Sequence, residues 1–90
     1  MDRVFKALSD ANRRKILKYL KSEDRPVGDI VKQLDISQAS VSHHLDVLKK
    51  ANLVVVERKW QYRYYSLNTS VFDEIIGKFL NFFKKQNDKK

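Results

Sequence analysis

"SQASVSHHLDVLKK", residues 37–50, decides how the rest of the chain is read. Val41, Leu45 and Leu48 recur at i, i+4, i+7, the spacing of a helix with one buried stripe. With that stripe on a core, Gln38, Ala39, Ser42, His43 and Asp46 fall on the opposite side. Ser37 is suited to cap the helix start, because its hydroxyl can accept from a free N–H of the first turn. A small, polar outward side fits the major groove of DNA. Small residues let the helix sit deep, Gln38 can pair with an adenine edge through its amide, and Ser42 can bond a base or a phosphate. The free N–H groups beside Ser37 and Ser40 also favour a phosphate. A solvated surface helix has the same composition, so the flanking segments must decide.

Upstream, Val27, Ile30, Val31 and Leu34 repeat at i, i+3, i+4, i+7 and predict a second short helix. Only Asp35 and Ile36 separate it from Ser37. Two short helices about a tight turn make a helix-turn-helix. Downstream, Asn52 is a suitable helix stop. "LVVVERKWQYRYYSL", residues 53–67, is rich in valine and tyrosine and predicts two strands around a tight loop at Arg58 to Gln61. Arg58, Lys59 and Arg63 then form a basic wing, placed to lie along the DNA backbone or in the minor groove. Alternation turns some of Tyr62, Tyr64 and Tyr65 inward. Trp60, at the tip, either covers the base of the wing or touches a DNA sugar, and the pattern does not choose between them.

Towards the ends, Val4, Phe5 and Leu8 predict a first helix, and Ile16, Leu17 and Leu20 the stripe of a second. Ser9, Asp10 and Asn12 are potential caps between them. "KSEDRPVG" is a polar break, and Pro26 suits a helix start. From Thr69 onward, Phe72, Ile75, Ile76, Phe79, Leu80 and Phe83 form a wide stripe, with Phe82 off it. That is more apolar surface than a small monomer core needs. With Val4, Phe5 and Leu8 it predicts a homodimer interface. Residues 86–90 are expected to fray. The fold class is mainly α with a β-hairpin, a winged helix-turn-helix in the order α-α-α-α-β-β-α. One domain spans residues 1–90.

Net charge is +8, which favours a polyanion, either nucleic acid or an anionic surface. Residues 1–22 hold seven basic and two acidic groups, and residues 23–36 two basic and four acidic. The longest apolar run, Leu53 to Val56, is far too short to span a membrane. "MDRVFKALSD" has no signal-peptide core, so a cytoplasmic protein is expected. With no cysteine there is no thiolate metal site. Ser40, His43 and Asp46 match a hydrolase triad by residue type, but one exposed helix provides neither an oxyanion hole nor a cleft. No enzyme is expected. Adjacent residues on a helix diverge by about 100°, so His43 and His44 do not chelate one ion. His44, nearer the buried stripe, is read as a hydrogen-bonded structural residue.

"VFKALSDANRRKILKYL", "VGDIVKQLDISQASVSHHLDVLKKANLV" and "RKWQYRYYSL" together resemble the ArsR/SmtB family of bacterial winged-helix repressors. The resemblance covers about residues 3 to 68, and "ISQASVSHHLDVLKKANLV" is its specific part. It implies a homodimer built from the first and last helices, an inverted-repeat operator and repression by covering a promoter. Family metal sensors often carry a cysteine motif at the start of the third helix; here "RPVGDI" has no thiol. Others use Asp/His pairs on the last helix, which here has Asp73 and Glu74 and no histidine. No cofactor or metal is therefore expected. Asp35 stands where a turn glycine is frequent, and Trp60 where a wing glycine is. The leading expectation is a dimeric, double-stranded-DNA-binding repressor. The alternatives are a winged helix that binds a regulatory protein, and a repressor controlled by a ligand or metal.

Overall fold

The computed structural model describes residues 2–87; residues 1 and 88–90, and the side chains of Phe79 and of residues 83–87, lie outside the described residues. Helix α1 (Asp2–Leu8) stops at Ser9, whose hydroxyl donates to the Lys6 carbonyl at 2.6 Å. Of the three candidate caps, Asp10 opens α2 (Ala11–Leu20), accepting from the N–H groups of Asn12 and Arg13 at 2.8 and 3.1 Å. Strand β1 (Arg25–Pro26) precedes α3 (Val27–Leu34). Pro26 has extended backbone and stands immediately before the helix, where its missing N–H is harmless.

Helix α3 ends on Asp35 in the left-handed region, φ 54 and ψ 43, and α4 (Gln38–Lys50) begins after Ser37. At the end of α4, Asn52 takes φ 61, while its N–H bonds Lys49 and that of Leu53 bonds Leu48, both at 3.0 Å. A left-handed residue there closes the last orphan carbonyls and turns the chain into the sheet. Strands β2 (Val54–Lys59) and β3 (Tyr62–Leu67) form an antiparallel hairpin, and α5 (Thr69–Asn87) follows. Helix α5 therefore reaches into the segment 86–90 expected to fray.

The expected element order gains one strand, β1. It pairs Arg25 with Tyr65 and Pro26 with Tyr64, so the sheet order is β1-β3-β2. Two residues carry no period, and this strand exists only through a partner some forty residues on. Its edge position suits Pro26, which has no N–H for a ladder.

The core joins α2, α3, α4 and the start of the hairpin. Ile16, Ile30, Val41, Leu45, Leu48, Leu53 and Val54 are fully buried, and Tyr65, Leu67, Val71, Phe72 and Ile75 pack against that centre. Each such large aliphatic contributes about 1.5–3 kcal/mol by leaving water. Beyond Ile75, α5 leaves the body. The radius of gyration is 15.1 Å, against about 12 Å for a compact chain of this length.

Candidate nucleic-acid interface

The turn between α3 and α4 sets the angle at which α4 is presented. Asp35 gives the αL geometry, and its N–H bonds the Val31 carbonyl at 3.0 Å. Aspartate tolerates this region better than most residues. Ser37 then caps α4, its Oγ accepting from the Ser40 N–H at 3.1 Å. The Ser37 hydroxyl donates in turn to Ser40 Oγ at 2.9 Å.

The stripe Val41, Leu45, Leu48 is buried, which leaves the other side of α4 to solvent. Ser37, Gln38, Ala39, Ser40, Ser42, His43 and Asp46 are all exposed. Ser37 and Ser40 have part of their bonding capacity engaged in the cap, whereas Gln38 and Ser42 make no side-chain bond among the described residues. Asp46 pairs with Lys50 at 2.9 Å, which offsets its repulsion of a phosphate. Ser40 bonds Ser37 and Asp46 bonds Lys50, so neither is directed at His43 as a hydrolytic triad would need.

His44 does face inward, and the residue holding it is one the sequence reading passed over. Arg13 is only 9% exposed. Its Nε donates to the Ala7 carbonyl at 2.8 Å and its Nη2 to that of Lys6 at 3.0 Å, satisfying the end of α1. Its Nη1 lies 3.2 Å from His44 Nδ1. A guanidinium only donates, so this contact is a hydrogen bond where Nδ1 is the acceptor. Asp10 Oδ1 is 4.0 Å from the same nitrogen. The Asp10 carboxyl is held below the ordinary value, first by the Arg13 N–H bond and then by that of Asn12, against some desolvation; the charges of His44 and Arg13 add to the effect. One cluster thus ties α1, α2 and α4 together. The signal was present in the sequence: Arg13, Ile16, Leu17 and Leu20 stand at i, i+3, i+4, i+7.

The hairpin flanks α4. Its strands run longer than expected, to Lys59 and from Tyr62, so the loop shrinks to Trp60 and Gln61. Val54, Val56, Tyr65 and Leu67 lie on the core side, and register carries Arg58 and Arg63 onto that side further out, directly opposite each other. Lys59, Tyr62 and Tyr64 take the other side, with Lys59 Nζ 5.5 Å from the Tyr64 ring centre. Of the three hairpin tyrosines, Tyr65 is thus the one committed to packing, and Tyr62 the most open. Arg58, Lys59 and Arg63 are exposed. Arg63 and Tyr65 share a cleft of about 720 Å³ with Gly28, Asp29, Gln38 and Ser42, so the wing and the start of α4 border one concavity. Trp60, 94% exposed, has φ 62. A left-handed non-glycine residue costs about 1–2 kcal/mol.

The apolar residues of the terminal helices divide. Val4, Leu8, Phe72 and Ile75 pack on the protein's own core. Phe5, Ile76, Leu80 and Phe82 are more than half exposed, at 52, 54, 63 and 55%. The side chains of Phe79 and Phe83, assigned to the same interface, lie outside the described residues. Among the described residues no three His, Cys, Asp or Glu side chains are grouped to hold a metal ion. Nor is any helix there long and apolar enough to cross a membrane.

Residues 10–56 match the family model described as bacterial regulatory protein, arsR family. The chain is 51% identical over 85 residues to the transcriptional repressor SdpR of Bacillus subtilis (strain 168), covering 94% of each. Among solved structures it resembles NolR from Sinorhizobium fredii, with a TM-score of 0.74 and 29% identity, over 91% of this chain and 82% of that one. It also matches, at a TM-score of 0.76 and 24% identity, the homodimeric winged helix-turn-helix DNA-binding domain Mb0332 from Mycobacterium bovis, over 99% of this chain and 82% of that one.

Proposed function

This chain belongs to the arsR family of bacterial regulatory proteins, and from that premise we propose that it represses transcription by binding double-stranded DNA as a homodimer. The observation that carries this is the open polar side of α4 beside a basic hairpin, on a chain of net charge +8. Gln38 and Ser42 read base edges, with Ala39 and His43 alongside. Ser37, Ser40 and the N–H groups at the start of α4 meet phosphate. Arg58, Lys59 and Arg63 add affinity that does not depend on sequence. The relative from Bacillus subtilis is a transcriptional repressor, which supports the direction of the effect. A regulator of this kind works in the cytoplasm.

The open residues Phe5, Ile76 and Leu80 support pairing of two copies through α1 and α5. A twofold axis sets the two α4 helices about 34 Å apart or a multiple, which calls for an inverted repeat. Binding is read as independent of metal. Without cysteine, and without histidine on α5, neither familiar donor set of the family can be assembled.

Selection of duplexes from a random pool, followed by gel shift under a salt titration, tests this reading. Affinity should fall linearly on a log–log plot against salt, and Arg63→Gln should lower that slope by about 1 per wing with base preference kept. Equal affinity in chelator and in zinc is expected. Failure to enrich any sequence, or a reversible loss of binding with zinc, overturns the corresponding part.

A further inference from the structure

We propose that Trp60 is the point at which the hairpin enters DNA, its indole seated in the minor groove next to the stretch that α4 reads. This rests on the DNA-binding reading above.

Three features mark the hairpin tip: one side chain that gains nothing from folding, and two arrangements that work against it. The indole is 94% exposed, the most open of the large apolar side chains among the described residues. Trp60 has φ 62 at the first position of a two-residue turn, where glycine would sit without strain. Arg58 and Arg63 stand opposite each other across the strands, and like charges so placed are destabilising. Among the described residues no carboxylate pairs with Arg58, Lys59 or Arg63, and Glu57 stands in register with Tyr64.

One occupant relieves all three. The minor groove is a slot about 6 Å wide, walled by sugars and edged by two rows of phosphate. An indole fits such a slot on edge, and apolar wedges are a recurrent device there. The tip has the matching charge layout. Arg58 and Arg63 lie on one face of the hairpin and Lys59 on the other, so cations flank the indole on both sides. Arg63 borders the same cleft as Gln38 and Ser42, which ties the tip to the reading side of α4. Backbone strain of this kind clusters at functional contacts, and at Trp60, unlike Asp35 and Asn52, it does not close a helix end.

Trp60 is the only tryptophan in the chain, so intrinsic emission reports this residue alone. The full chain is titrated with a fluorescently labelled duplex taken from the random-pool selection. Duplex anisotropy and tryptophan emission are followed together. As anisotropy rises, emission should move to the blue and acrylamide quenching should fall. A rise in anisotropy with unchanged emission and quenching overturns the insertion while DNA binding stands. No rise in anisotropy removes the DNA-binding reading and this inference with it. A blue shift with phosphatidylglycerol vesicles and none with duplex would assign the tip to an anionic membrane surface instead.

Trp60→Gly gives an independent readout, because it removes the indole and the strain at once. The melting temperature should rise, while affinity for the selected duplex falls about tenfold, or ~1.4 kcal/mol. The salt slope should stay the same, since no charge is lost. Unchanged affinity, or a fall in melting temperature that accounts for the loss, overturns the proposal.

Discussion

Helices α4 and α5 both bury one side and leave the other open, but the open sides differ in kind. On α4 it consists of small and hydrogen-bonding groups, Gln38, Ala39, Ser42 and His43. On α5 it contains Ile76 and Leu80, more than half exposed on a helix that extends past the core. A polar side gains nothing by leaving water unless a partner replaces its hydrogen bonds, so α4 waits for a ligand rich in donors, acceptors and charge. An apolar side gains by area alone, so α5 is suited to another apolar surface, which a second copy would supply under the proposed pairing. On the proposed function the same helical period serves two recognition tasks, and the chemistry of the open side separates them.

The comparison breaks first if the two sides of α4 are not independent. Leu45→Ala, on the buried stripe, should cost about 2–5 kcal/mol of stability, whereas Ser42→Ala should stay within about 0.5 kcal/mol. Denaturant melts of the two variants measure the gap, and equal losses would mean that α4 has no free side. Next comes α5. Leu80→Glu should leave folding within about 0.5 kcal/mol but place a charge on the pairing surface. Sedimentation at micromolar concentration should show monomer, and affinity for an inverted repeat should fall by roughly 10²-fold or more as the two half-sites are uncoupled. A dimer that survives this change is not built on α5.

Gln38→Ala sharpens the other half of the comparison. It should cost about 1–3 kcal/mol on the preferred duplex and flatten base preference at one position. Retained preference across a series of altered duplexes would take Gln38 out of the reading set. The smallest effect concerns how α4 is held. Asp10 caps α2 and stands beside His44, and its carboxyl is depressed in the folded state. Its contribution is therefore present above the unfolded-state value, about 3.9, and is lost as pH falls through the lower folded value. Asp10→Asn keeps the cap without the titration. The melting temperature of the variant should decline less steeply with acid than that of the wild type. Parallel declines would assign the acid sensitivity to other carboxylates.

Much of this molecule could be read directly from residue types. The stripes 27/30/31/34 and 41/45/48 and the caps at Asp10 and Ser37 all involve partners within a few residues. The left-handed stop at Asn52 is equally local. Positions on one helix side follow from a fixed rotation per residue, so the open set on α4 was legible too. Arg13 was missed because a charged residue is seldom assigned to a buried stripe. The end of α1 makes its burial tolerable by offering two carbonyls. The family resemblance rested on the most local part of the pattern, residues 36–54, where turn, cap and stripe are all short-range.

By itself, then, the sequence determined the number and kind of helices, the turn between α3 and α4, the basic hairpin and the polar side of α4. Period, capping and charge are properties of neighbouring residues, and they survive without knowledge of the rest. Tertiary structure alone decided that Arg25 and Pro26 become a strand, since their partners are Tyr65 and Tyr64. It alone divided the apolar residues of α1 and α5 between the core and the open surface, which depends on how far the core extends along each helix. It also placed Arg58 against Arg63 and Trp60 in a left-handed turn, because strand register is set by long-range pairing, and a shift of one residue would have turned every side chain to the other face.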